Sequence, residues 1–236
     1  MLLFYVRHGD PIYQPDSLTE LGHRQAEALV ARMRECRPQK IFSSTSTRAI
    51  MTAEPTAHAL GLEIEKLDWC HEDHAFRELA HTDENGRQNW LFRQPKMRQL
   101  LASPEVHRLD KSWYTHPALT QFEAGIARIQ RETDALMHSL GYRHDTARNG
   151  YVPESPAFDR VALFAHEGFG AAFLSCLLDI PYPQFCTHFE MGHSGMTVIE
   201  FRDGEELIIP RVLQTANDSH IFAAGISTDY QNRIHF

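Results

Sequence analysis

Cysteine is scarce: Cys36, Cys70, Cys176 and Cys186 are the only four in 236 residues, and they lie far apart with no Cys-x-x-Cys pair. That spacing suggests neither a disulfide framework nor a thiolate zinc site, so reduced, structural thiols are expected. No stretch of eighteen or more apolar residues occurs, and the amino terminus lacks the basic flank, long apolar core and small-residue cleavage site of a secretory signal. A cytoplasmic protein is expected, with no membrane partner. Positive charge is not in excess: 23 basic against 31 acidic side chains give −8 with histidine neutral, which disfavours long-range attraction to nucleic acid or anionic lipid. Any anion must therefore be captured by a local cluster of cations. Internal repeats, low-complexity tracts and linkers are also missing, so one domain over 1–236 is expected, its 42% apolar content sufficient for a sizeable core.

What is present is an alternation of strands and helices. Leu2 to Val6 is an apolar run of the kind that forms core strands, and from Thr19 the residues Leu21, Ala28, Leu29, Met33 and Cys36 share a helix face. A Pro/Asp-rich loop at Asp10 to Ser17 separates them. Lys40 to Ser43 reads as the second strand. A helix capped by Ser46 or Thr47 follows, with Ala49, Ile50, Ala53, Ala57 and Leu60 inward and Gly61 at its end. Further strands are expected at Glu63 to Leu67, Arg160 to Ala165, Met196 to Phe201 and Glu206 to Leu213, the last two joined by an Asp203-Gly204 turn. Gly168 to Leu178 is expected as the helix after "RVALFA". From about 84 to 150 strand alternation disappears and a long amphipathic helix runs from about Ala118 to Leu140. The expected class is α/β: a three-layer α/β/α sandwich with a mostly parallel central sheet and a helical cap insertion at about 84–150.

Ligands in such sheets sit at the carboxyl ends of the strands. Arg7-His8 follows the first strand, Ser43-Ser44 to Arg48 the second, and His166 the strand "RVALFA". Two arginines and two histidines converging at one edge make a cation-rich pocket suited to phosphoryl oxygens. A neutral imidazole such as His8 is also a competent nucleophile, and Gly9 permits a tight backbone approach beside it.

The pieces "VRHG" (6–9), "LTELGHRQAEAL" (18–29), "IFSSTSTRAIMTAEPTA" (41–57) and "LFAHEG" (163–168) resemble, in order, the histidine phosphatase superfamily, the phosphoglycerate mutase-like enzymes that work through a phosphohistidine. The resemblance implies His8 as nucleophile, Arg7 and Arg48 as phosphate clamps, and His166 as the second histidine bonded to the transferring group. It also implies a carboxylic acid after the third strand, in "LDWCHEDHAFREL": Glu72 is the first choice, with Asp73 and Glu78 as alternatives. A late stretch, Asp218 to Gly225, brings Ser219 and His220 as pocket-wall residues. The chain departs from the family pattern in two places. Asp10-Pro11 follows the glycine, with Gln14 where an asparagine touches phosphate, and Glu167 stands where many members have glycine.

The expected activity is metal-independent hydrolysis of a small phosphomonoester. The alternatives are a mutase-type phosphoryl transferase and a non-catalytic phosphate-binding regulator. The expected partner is a small phosphorylated substrate, and a homodimer is the oligomer to look for. Fifteen histidines include "HEDH" at His71 to His74 and the pair His188 and His193, but none has ligand spacing on a helix face, so no metal or cofactor is expected. The insertion's Trp90, Phe92, Trp113 and Tyr114 are expected to serve packing rather than to form a substrate platform. Its Arg87, Arg93, Lys96, Arg98, Arg108 and Lys111, against Glu105 and Asp110, form a solvated face or a basic cover that draws in an anionic substrate.

Overall fold

The structure, a computed structural model, describes residues 1–227. Its central sheet contains β1 (Leu2–Arg7), β2 (Lys40–Ser44), β3 (Ile64–Leu67), β4 (Arg160–Ala165), β5 (Met196–Glu200) and β6 (Arg211–Asn217), in the order β6-β5-β1-β4-β2-β3. The pairs β1–β4, β4–β2 and β2–β3 are parallel, whereas β5 and β6 add antiparallel at one side. The helices flanking the sheet include α1 (Glu20–Cys36), α2 (Thr47–Leu60), α3 (Glu72–Leu79), α4 (Glu123–Ser139) and α5 (Glu167–Leu177).

Strand side chains alternate between faces, and both faces of this sheet are covered, which is why β1 is apolar from Leu2 to Val6 and β4 from Val161 to Ala165. Phe4, Val6, Ala162 and Phe164 pack with Leu29 and Met33 of α1 and Ala53 and Ala57 of α2. Leu3, Tyr5, Leu163 and Ala165 pack instead with Ile126, Ile129, Leu136 and Met137 of α4 and Phe169 and Phe173 of α5. The expected three-layer sandwich is thus formed. Among the described residues no helix is long and apolar enough to cross a membrane, and all four cysteines are free.

Three local readings differ. Thr19 caps α1, accepting from the Gly22 N–H at 3.0 Å, and Gly61 ends α2 in the left-handed region. The cap of α2, however, is supplied from outside: Asp16 accepts from Ser46 Oγ (2.9 Å) and the Thr47 N–H (2.7 Å). That aspartate belongs to a small hairpin, Pro11–Tyr13 with Asp16–Leu18, where a loop is expected from sequence. The last strand starts at Arg211 rather than Glu206, because Ile208 pairs with Tyr151 instead and Pro210 has no N–H to donate.

The insertion divides in two. Its first part, a hairpin (Ala80–Thr82 with Gln88–Trp90) and short helices, overhangs the carboxyl edge of the sheet. Its second part, α4, is a wall of the sandwich rather than a cap, and starts at Glu123 after a 3-10 turn at Thr120–Phe122. His144 ties the parts together: its Nδ1 meets Asp134 of α4 at 2.8 Å and its Nε2 meets Asp179 at 2.9 Å, while Lys111 also pairs with Asp179. Burial alone would lower the imidazole pKa, but the two carboxylates raise it to about 9. The folded state therefore prefers the protonated ring. Its contribution, up to about 3 kcal/mol, is complete below pH 6.5 and disappears as the pH rises through 9. Urea midpoints at pH 6 and 9.5 should show this loss in the wild type and a flatter profile in His144→Gln; equal slopes would contradict it.

Candidate active site

The register of the parallel strands builds the site. Arg7 pairs with Ala165, and Phe164 with Ser43, so Arg7-His8, His166 and Ser44 emerge side by side at one sheet edge. The His8 backbone is pinned on both sides, its N–H donating to Ala165 O (2.9 Å) and its carbonyl accepting from the Ser194 N–H (3.0 Å). Its Nδ1 lies 2.7 Å from the Gly9 carbonyl, which can only accept, so Nδ1 carries the proton and Nε2 keeps its lone pair. Burial, reinforced by His166, Arg7 and Arg48, holds the His8 pKa well below its ordinary value. The ring is neutral. Gly9 is required by contact: a Cβ there would come within 2.7 Å of the Gly22 carbonyl in α1.

Both arginines are buried and oriented. Arg7 donates through Nη2 to His193 Nε2 (2.8 Å) and through Nη1 to the Met191 carbonyl, and Nη1 also pairs with Glu167 at 2.9 Å. Arg48 Nη1 is held by Asp16 at 2.7 Å, and Nη2 lies 3.2 Å from His166 Nδ1. The Nε–H of each arginine has no acceptor among the described residues. His166 meets Ser44 Oγ through Nε2 (2.8 Å) and Glu72 through Nδ1 (3.1 Å), and its carbonyl accepts from Tyr5 OH. Burial lowers its pKa, with Glu72 opposing. Glu72 opens α3 and accepts from the Phe169 N–H at 3.2 Å. Burial would raise its pKa, but His166 and Arg48 outweigh that and hold it below the usual carboxylate range.

These side chains line a cleft of about 900 Å³. Its His8, Glu72 and His166 donor atoms lie within 4.8 Å of one another, close enough to hold a metal ion. The adjacent Arg7 and Arg48 guanidiniums repel a cation and suit an anion.

The structure therefore brings His8, His166, Glu72, Arg7, Gly9 and Arg48 together. Gln14 and Asp73 lie at the cleft's rim, both exposed. Glu78 does not join them, because Arg128 of α4 holds both its oxygens at 2.6–3.0 Å. His220 is not a wall residue either: it is buried behind the His8 loop, 2.9 Å from Ser194 Oγ. Reading the sequence missed Asp16 and the role of His193, which had appeared only as part of a metal candidate. Burial, with Arg7 and Arg93 nearby, pushes the His193 pKa down to about 3, which makes it an acceptor for Arg7. Glu167 points inward, its two oxygens each 2.7 Å from Arg93 Nη2. Of the insertion's aromatics, Phe92 and Trp113 are core as expected, but Trp90 lines the cleft.

The basic cover is not assembled over the cleft. Arg87 pairs with Asp83, Lys96 with Glu84 and Lys111 with Asp179, while Arg98 donates to the Thr187 carbonyl. Of the six basic residues only Arg93 lines the cleft, and Glu167 holds it.

Residues 3–212 match the family description "Histidine phosphatase superfamily (branch 1)". No curated protein matches by sequence. Among solved structures the chain is similar to the mycobacterial glucosyl-3-phosphoglycerate phosphatase (TM-score 0.57, 22% identity, 92% of this chain and 99% of that one). It is also similar to a phosphoserine phosphatase mutant from Entamoeba histolytica (0.57, 16%, 93% and 98%). A third similar structure is a putative alpha-ribazole-5'-P phosphatase from Escherichia coli (0.57, 16%, 92% and 97%). At these identities the likeness is one of fold. The family match spans both strand ends that carry the histidines, so the chain belongs to the histidine phosphatase superfamily.

Proposed function

We propose that this protein hydrolyses a small phosphomonoester through a phosphohistidine formed on His8, without a metal, and that it does so in the cytoplasm. The observation that carries the reading is the His8 imidazole, protonated at Nδ1, neutral, and set among Arg7, Arg48 and His166. His8 Nε2 attacks phosphorus and the ester P–O bond breaks. Glu72 protonates the leaving oxygen, then takes a proton from the water that attacks the phosphohistidine, returning free imidazole and inorganic phosphate. Arg7, Arg48 and His166 hold the equatorial oxygens, and the unpartnered arginine Nε–H groups are donors for a bound phosphoryl group. That structurally similar proteins are phosphatases supports hydrolysis.

The test is an acid-quenched intact-mass measurement after brief mixing with 4-nitrophenyl phosphate in chelator-containing buffer. A single phosphoryl adduct, lost on prolonged acid and stable in alkali, is expected. Steady phosphate release with no adduct on any time scale, or activity that appears only on adding a divalent metal, would reject the reading.

A further inference from the structure

We propose that the leaving group is an uncharged ring system, and that Glu167 is the specificity-determining residue that excludes leaving groups bearing a carboxylate or a second phosphate. This rests on the phosphatase reading above and names its substrate class.

The cleft, at about 900 Å³, is far larger than a phosphoryl group, so most of it is left for the rest of the substrate. Its arginines are already outnumbered: three, Arg7, Arg48 and Arg93, face four carboxylates, Asp16, Glu72, Asp73 and Glu167. Arg7 and Arg48 belong to the phosphoryl end. Arg93 is the one arginine left for a second anion, and Glu167 holds it at 2.7 Å, with Glu190 at 3.7 Å. The Glu167 side chain is itself fixed, only 11% exposed and paired with Arg7 on its other side. A carboxylate on the leaving group would have to displace Glu167 from Arg93 or lie against it, and like-charge contact in a partly desolvated site is strongly unfavourable.

The same region is lined by aromatic rings. Phe76 and Trp90 meet edge to face at 5.2 Å, and Tyr13 stands 5.3 Å from the Arg48 guanidinium. Trp90 is held in place before any substrate arrives: it stacks on Phe92 at 5.8 Å and lies so close to Gly168 that a Cβ there would come within 2.2 Å of the indole. A preformed aromatic wall binds a planar apolar group without paying to order itself.

The test uses two inert phosphonates with the same three-methylene linker, 3-phenylpropylphosphonate and 4-phosphonobutyrate, titrated calorimetrically into the wild-type protein, Glu167→Gln and Arg93→Met. The wild type should bind the phenyl compound at least about tenfold more tightly, and Glu167→Gln should narrow the ratio to under about threefold. Arg93→Met, which leaves the Glu167 carboxylate paired with Arg7 but no longer with Arg93, should widen it, and it keeps the proposal testable if Glu167→Gln does not fold. Equal or tighter binding of the carboxylated compound to the wild type, or an unchanged ratio in both variants, overturns the proposal. Phosphate release from 4-nitrophenyl phosphate is measured in parallel. Turnover without the binding preference removes this inference alone; the preference without turnover removes the phosphatase reading and leaves the site's selectivity standing.

Discussion

His8→Ala should lose at least about a thousandfold in kcat on every phosphomonoester the wild type hydrolyses, while inorganic phosphate still binds. The covalent path needs the Nε2 lone pair of His8, and His166, fully buried with its Nε2 on Ser44, is not placed to attack in its stead. Binding should survive because Arg7 and Arg48 stay oriented by the Met191 carbonyl and by Asp16. The backbone bonds of residue 8 to Ala165 and Ser194 are also retained, so the fold should be kept. Single-turnover kinetics and phosphate titration check this. Turnover within tenfold of wild type would place the nucleophile elsewhere. The same ring offers a second measurement: because burial and the surrounding cations depress its pKa, ¹⁵N chemical shifts should report a neutral His8, protonated at Nδ1, on lowering the pH from 8 through 6.5.

Glu72→Gln should cost between about a hundredfold and ten thousandfold in kcat for an alkyl phosphate, and much less for the phosphorylation step with 4-nitrophenyl phosphate, whose leaving group needs no proton. The amide keeps the shape and can still accept from the Phe169 N–H, so the loss isolates proton transfer from packing. The carboxylate is close to His166 and Arg48, which hold its pKa down in the free protein. A phosphoryl group bound to those cations offsets their pull and favours the protonated acid. Burst and steady-state rates on the two substrates separate the steps. Glu78→Gln is the control, since Glu78 serves Arg128: it should lower stability and leave the leaving-group dependence as in the wild type. If Glu78→Gln instead abolished the alkyl phosphatase rate, the acid would have been misassigned.

Much of this was legible before any coordinates. Apolar runs ending in Arg7-His8 and His166 mark strands buried on both faces that stop at a charged edge, and parallel connectivity forces such ends together. Glu72 was legible only through the family resemblance, which implies an acid shortly after the third strand and left Asp73 and Glu78 beside it. His220 was not, because a buried histidine bonded to Ser194 and one lining a wall have the same local sequence. The boundary of β6 depended on a partner far along the chain, the Tyr151–Ile208 bridge, and that of α4 on a 3-10 turn immediately before it.

The sequence by itself determined the α/β class with a mostly parallel sheet and the two arginines and two histidines of the pocket, because periodicity and strand ends are local properties carried by neighbouring residues. Tertiary structure alone decided which groups neutralise which. Asp16 on Arg48, Glu167 between Arg7 and Arg93, and His144 between Asp134 and Asp179 are pairings across 32 to 160 residues or between separate elements. Charge on a side chain is written in the chain, but Coulomb interactions depend on distance in space, and at a low-dielectric cleft a few ångströms decide whether an arginine is a free clamp or already answered.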